Sequence, residues 1–240
     1  ETDSLLALNQ MGLRWGDLPS GLDEKLWEAV NRNAQDFNAQ AIANSLLALN
    51  QMGVRWGDLP KSLSDNLWEA VSRNAKDFNA QDIANSLLAL NQMGVRWGDL
   101  PMSLSQKLWA AVDRNVQDFN AQDIANSLLA YVRMHDDKPQ QGFNKQAYQE
   151  VLSQLIKSAQ SMVQQGVKNK ERHQIAQALT WLQAFHHKDY RQNFQGMCLS
   201  QEVTISQLQK SIVAALREHK PTIVIEEEKR LGFAGCLDVD

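Results

Sequence analysis

The chain repeats itself with a period of 41 residues, and this constrains its fold more than any other feature. Trp15, Trp56 and Trp97 lie 41 positions apart, and segments 46–86 and 87–127 differ at only seven of 41 positions. A fixed period of this length is typical of stacked units, each of which buries its apolar face against its neighbours. The repeats therefore predict a solenoid.

Each unit is predicted to contain two α-helices, which we name the A helix and the B helix. Phe78 and Asn79 open one A helix, with Asn79 as a favourable N-cap and Asp82 three residues later. The helix is apolar around most of its circumference and ends at Gly94, a residue type favoured just after a helix. After a linker punctuated by glycine and proline, an amphipathic B helix begins near Ser103.

The predicted fold class is all-α, an αα-hairpin repeat solenoid with a short C-terminal β-hairpin. Three near-identical repeats occupy residues 1–130. We expect a degenerate helical repeat over 131–200, because the terminal units of solenoids are usually atypical.

The C-terminal segment 201–240 changes character. Residues 206–219 are amphipathic, whereas the β-branched run 222–225 and the segment 233–240 favour strands. We expect this segment to be the incomplete start of an α/β domain.

Composition and charge narrow the functional classes. Apolar residues make up 43% and charged residues 22%, so the chain can fill a core. There is no membrane-length apolar run and no signal peptide. The two cysteines favour an intracellular chain with free thiols, and we expect a monomer. Cys198, Cys236 and the five scattered histidines form no ligand set, and we predict no metal and no cofactor. The net charge of −4 counts against nucleic-acid binding.

The repeats resemble a known RNA-binding family. Residues 78–94, Phe-Asn-Ala-Gln-Asp-Ile-Ala-Asn-Ser-Leu-Leu-Ala-Leu-Asn-Gln-Met-Gly, are similar to the octotricopeptide repeat, and the match recurs at 37–53 and partly at 119–130. The resemblance implies modular binding of single-stranded RNA. The repeat here is longer than that of the family, and Leu47 and Leu88 stand where the family usually has tryptophan.

The C-terminal segment is similar to the start of a RAP domain, which commonly follows such repeats and is itself similar to nucleases. The similarity lies in residues 206–226 and 237–240. One carboxylate, Asp240, cannot hold a catalytic metal, so we expect no enzyme activity from this chain. The alternative function is a protein-binding scaffold. The near-identity of the repeats also resembles bacterial effector arrays. We expect a cytoplasmic location, or secretion into a host cell or organelle if the chain is an effector.

Amide side chains form the first candidate RNA-binding set. They recur at i, i+4 and i+11 of the A helices and so share one face. Their donors and acceptors can pair with base edges, although they could equally bond neighbouring loops and hold the stack together. The set is Gln40, Asn44, Gln51, Gln81, Asn85, Gln92, Gln122 and Asn126.

The variable positions of the B helix form the second set. Positions 65, 69, 72 and 76 follow i, i+4, i+7 and i+11, and differ between otherwise constant repeats. A repeat protein that recognises a different base with each unit needs such a line of variable positions. Neutral sequence variation on a solvent-facing surface gives the same pattern. The candidates are Glu69, Ser72 and Lys76 with their equivalents Ala110, Asp113 and Gln117.

Recurring arginines form the third set. Guanidinium groups at a fixed period could contact successive phosphates, or could pair with aspartates that recur nearby. The linker contributes Arg14, Arg55 and Arg96, and the end of the B helix contributes Arg32, Arg73 and Arg114. The recurring tryptophans, such as Trp15 and Trp27, are predicted to belong to the core, with base stacking as the alternative.

Overall fold

The computed structural model describes residues 2–135 and 143–186, and no strand occurs within these ranges. The chain alternates α-helices with short linkers, several of which contain a 3-10 turn such as Trp56–Asp58. The helices are α1 (Thr2–Gln10), α2 (Leu22–Asn33), α3 (Ala39–Gln51), α4 (Lys61–Asn74), α5 (Ala80–Gln92), α6 (Met102–Asn115), α7 (Ala121–Arg133), α8 (Lys145–Gln165) and α9 (Asn169–His186).

The helices form two layers, as the repeats predict. The odd-numbered A helices pack on one another in chain order, so that α1 contacts α3, α3 contacts α5, α5 contacts α7 and α7 contacts α9. The even-numbered B helices form the second layer, where each packs against its predecessor. Helices α8 and α9 continue the alternation although their sequences have lost the repeat. The described part of the chain is therefore an α-helical repeat stack.

The capping residues read from the sequence begin and end the A helices. The Asn79 side chain accepts a hydrogen bond from the Asp82 backbone N–H at 2.9 Å, and the Asp82 carboxylate accepts one from the Asn79 N–H at 3.3 Å. Gly94 follows the helix with a φ of +90°, the left-handed conformation that favours glycine. Burial raises the pKa of the Asp82 carboxyl, and the hydrogen bond from Asn79 offsets part of that rise.

Small residues bring the A helices close together. Ala84, Ser86 and Ala89 of α5 are fully buried. The equivalent alanines and serines of α3 and α7 are buried as well. Since interaxial distance depends on the side chains at the contact, these small residues allow neighbouring A helices to pack closely.

Hydrogen bonds that recur at the repeat period lock successive units in register. The backbone N–H of Trp56 donates to the Met93 carbonyl at 3.0 Å, and that of Trp97 donates to the Met134 carbonyl at 2.8 Å. The buried Asn115 side chain donates to the Phe78 carbonyl at 3.0 Å. Each unit thus satisfies backbone groups of its neighbour, which would be costly to leave unpaired.

Helix α8 also begins with an asparagine N-cap. The Asn144 side chain accepts a hydrogen bond from the Ala147 N–H at 3.0 Å, and the Phe143 ring packs on Tyr148. Residues 136–142, both cysteines, the amphipathic segment 206–219 and the two predicted strands lie outside the described residues.

Candidate nucleic-acid interface

One line of equivalent positions runs along α3, α5 and α7, and we name it the A row. The predicted amides lie on it: Gln40 and Gln81 are exposed, and Asn44 and Asn85 are half-buried. The predicted common face is therefore present on α3 and α5. The A row consists of Gln40, Asn44, Leu47 and Gln51 on α3, Gln81, Asn85, Leu88 and Gln92 on α5, and Gln122, Asn126, Leu129 and Arg133 on α7.

The amides at the C-terminal end of the row join neighbouring A helices. The Asn50 amide donates to the Gln92 carbonyl oxygen at 2.5 Å, and Asn9 donates to Gln51 in the same way. These contacts match the alternative interpretation, in which amides hold the stack together. Within the described residues, Gln40, Asn44, Gln81, Asn85 and Gln122 have no hydrogen-bond partner for their side chains.

Helix α9 closes the row at α7. Asn126 and Leu129 are 2% and 6% exposed, whereas their equivalents on α3 and α5 are half-buried. The Gln174 amide of α9 donates to the Asn126 carbonyl oxygen at 2.8 Å. Asn126 therefore faces α9 and does not lie on the open surface, so the open part of the row is on α3 and α5.

The predicted variable positions of the B helices lie on the outer side of that layer, and we name them the B line. Glu69, Lys76, Ala110 and Gln117 are exposed. Two other members contact the next helix. The Lys107 ammonium donates to the Ser72 hydroxyl at 2.7 Å, and the Gln154 amide donates to the Asp113 carboxylate. The B line is thus partly a set of contacts between B helices.

The arginines at the end of the B helix contact the preceding repeat. The Arg73 guanidinium donates to the Gln35 carbonyl at 2.6 Å, and the Arg114 guanidinium donates to the Ala75 carbonyl at 3.0 Å. Arg32, in the first repeat, is exposed. The guanidiniums of Arg73 and Arg114 are therefore engaged within the protein, where they satisfy backbone carbonyls of the preceding 3-10 turn.

The linker arginines have a different environment. Arg14 and Arg55 are exposed, whereas Arg96 is half-buried and its guanidinium donates to the Arg133 carbonyl. The recurring linker aspartates accept hydrogen bonds from arginine backbone N–H groups, as Asp99 does from Arg96 at 2.8 Å. Among the described residues, none of the six recurring arginines forms an ion pair with a carboxylate, so the predicted alternative of pairing with aspartate is not formed there.

The tryptophans pack against the core, as predicted, although those of the first two repeats are half-buried. Trp15 stacks on Trp27, and Trp56 stacks on Trp68, each pair with 3.8 Å between ring centroids. The third pair is more deeply buried: Trp109 is 2% exposed and meets its partner edge to face. No ring of these pairs lies on the A row.

A cavity of about 310 Å³ lies where the open row reaches α9. It is lined by Asn91, Gln92, Arg96, Arg133 and Trp181. Arg133 is the C-terminal member of the row on α7, and its guanidinium carbon lies 5.2 Å from the centroid of the Trp181 ring. Sequence reasoning missed Arg133 and Trp181. The signal for Arg133 was available, since it follows Gln51 and Gln92 at the repeat period.

In the part of the chain that the structure describes, no three His, Cys, Asp or Glu side chains lie close enough together to hold a metal ion. None of the described helices combines the length and the apolarity needed to cross a bilayer.

The stacked helix pairs define the chain as a helical repeat protein. A family model described as a protein of unknown function, DUF1601, matches the chain three times, at residues 11–46, 52–87 and 93–128. Each match runs from the end of one A helix into the next, so the family model and the structure delimit the same repeating unit. Neither the curated proteins nor the solved structures gave a match to this chain.

Proposed function

We propose that this chain binds single-stranded RNA along the A row, with successive A helices contacting successive parts of the strand. The observation that carries the proposal is the open set of amides, Gln40 and Asn44 on α3 and Gln81 and Asn85 on α5. They have no partner among the described residues and recur at equivalent positions. The resemblance of the repeats to the octotricopeptide family supports the same function.

The chemistry of the row suits unpaired bases. Each amide offers both a donor and an acceptor, which is what the edge of a base presents when it is free of a complementary strand. Half-buried Leu47 and Leu88 lie between the amides on each helix and supply apolar surface for the faces of the bases. A duplex hides these edges, so the row favours single strands.

Electrostatics make the expected binding moderate in strength. The chain carries a net charge of −4, and Arg73 and Arg114 are engaged by carbonyl groups. The exposed Arg14 and Arg55 remain as linker cations that can approach phosphates. Since phosphate contacts release counterions, the affinity should fall as the salt concentration rises.

The alternative function is a protein-binding scaffold, and the charge favours it. An acidic surface does not attract a polyanion, and amides can also pair with the backbone of an extended peptide. An experiment with RNA separates the two classes, because only the RNA-binding function depends on phosphate and on exposed bases.

Retention of a random pool of single-stranded RNA on the immobilised chain tests the proposal. We expect the pool to be retained at low salt and released progressively as salt is added, while duplex RNA of the same length binds more weakly. Sequencing the retained fraction then reports any base preference. If no RNA is retained even at low salt, the RNA-binding function is wrong and the scaffold function is favoured.

A further inference from the structure

The cavity at the end of the A row is lined by positively charged residues, whereas the open row on α3 and α5 carries only amides and leucines. Two guanidinium groups, those of Arg96 and Arg133, line it together with an indole ring and two amides. None of the lining residues is a carboxylate. Two cationic residues on one partly enclosed space give it a positive potential, which favours a bound anion.

Arg133 is the more available of the two cations. Its guanidinium lies over the Trp181 ring and has no hydrogen-bond or carboxylate partner among the described residues. The side chain is half-buried, so its charge is less screened than that of Arg14 or Arg55. A cation held by an aromatic ring keeps its N–H groups free to form a bidentate contact with an anion.

The position of Arg133 in the repeat sets it apart. In the two preceding A helices the equivalent residues are Gln51 and Gln92, each of which accepts an amide hydrogen bond from the preceding helix. At 133 a cation replaces the amide where α9 covers the row. The change of residue thus coincides with the point at which an extended ligand on α3 and α5 must end or turn away.

We propose that this cavity binds a terminal phosphate of the RNA strand, with Arg133 and Arg96 contacting the phosphate oxygens and Gln92 joining the site to the row. This inference rests on the proposed RNA-binding function. A phosphate monoester carries more negative charge than an internal diester, and therefore matches two guanidinium groups better. The terminal nucleotide would lie beside Gln92, at the end of the open row.

The test compares RNA oligonucleotides of one sequence that carry a 5′-phosphate, a 3′-phosphate or a hydroxyl at both ends. We expect one of the phosphorylated forms to bind about ten-fold more tightly to the wild-type chain, the magnitude of one charge-assisted contact. Arg133→Gln restores the residue found in the other repeats, so it should fold, and it should abolish the difference. Arg133→Lys keeps the positive charge but loses the planar guanidinium, so it should retain part of the preference for a phosphorylated end.

The matched control is Lys157→Gln, which removes the same charge from an exposed position of α8 outside the cavity. It should leave the preference for a phosphorylated end intact. Equal affinity of all three oligonucleotides for the wild-type chain would overturn the inference, and so would an equal loss of the preference in Arg133→Gln and Lys157→Gln.

A second arm separates this inference from the proposed function. Inorganic phosphate and a mononucleotide are titrated against the wild-type chain and Arg133→Gln in the absence of RNA. If they bind only to the wild type while no oligonucleotide binds, the cavity is a phosphate site and the RNA-binding function is wrong. If oligonucleotides bind without regard to their ends, the RNA-binding function stands and the terminal-phosphate site is wrong.

Discussion

Replacing Trp109 by alanine should destabilise the chain by about 3–5 kcal/mol, the range typical of removing a large aromatic side chain from a core. Trp109 is 2% exposed, and its ring contacts Trp97, Phe143 and Tyr148 with centroid distances of 5.6, 5.2 and 6.0 Å. These contacts join the last regular repeat to α8, whose sequence no longer follows the repeat. The change should therefore lower the midpoint of urea unfolding measured by far-ultraviolet circular dichroism.

The chain supplies its own control at the equivalent position of the first repeat. Trp27 is half-buried, and Trp15 is its one ring partner among the described residues. Less buried area is therefore lost in Trp27→Ala, and the space opens to solvent. We expect it to cost less than half as much as Trp109→Ala. Equal losses would show that the contacts of Trp109 with α8 contribute nothing to stability.

Replacing the open amides of the A row by alanine should weaken binding of single-stranded RNA at least about ten-fold. A single hydrogen bond is worth about 0.5–1.5 kcal/mol, and the loss of four such groups exceeds the roughly 1.4 kcal/mol that corresponds to a factor of ten. The variant carries Gln40→Ala, Asn44→Ala, Gln81→Ala and Asn85→Ala. Alanine has the highest helix propensity, so the helices should persist. Dissociation constants at one low salt concentration measure the effect.

The B line provides the competing surface. Glu69→Ala and Lys76→Gln introduce the residues that the next repeat carries at the same positions, Ala110 and Gln117. If the A row reads the strand, this double variant should change affinity and base preference far less than the A-row variant does. A larger effect of the B-line variant would show that RNA binds to the B helices and not to the A row.

Much of the fold follows from local sequence. The N-cap at Asn79, the glycine after the helix at Gly94 and the apolar periodicity act within a few residues of one another, so they predict where helices begin and end. The period of 41 residues then implies that every unit packs in the same way. Because these signals are local or periodic, they can be recognised in a single sequence without knowing which distant residues are in contact.

The candidate site was less predictable, because its features depend on contacts between distant helices. The sequence shows that Asn126 repeats Asn44 and Asn85, but the structure buries it beneath α9, which lies outside the regular repeats. Arg73 likewise recurs at the repeat period without revealing that its partners are carbonyl groups of the preceding turn. Periodicity predicts that equivalent residues occupy the same place on their helices. Their exposure depends on which side chains the neighbouring helix packs against them.

The dependence of affinity on the length of the RNA tests the central claim most directly. If the A row contacts successive nucleotides, the affinity of oligonucleotides of increasing length should rise stepwise and then reach a plateau once the row on α3 and α5 is filled. An affinity that is already maximal for a single nucleotide would contradict the claim, since one pocket would then account for all binding. A rise that continues without a plateau would contradict it as well, because it indicates unspecific attraction to phosphate.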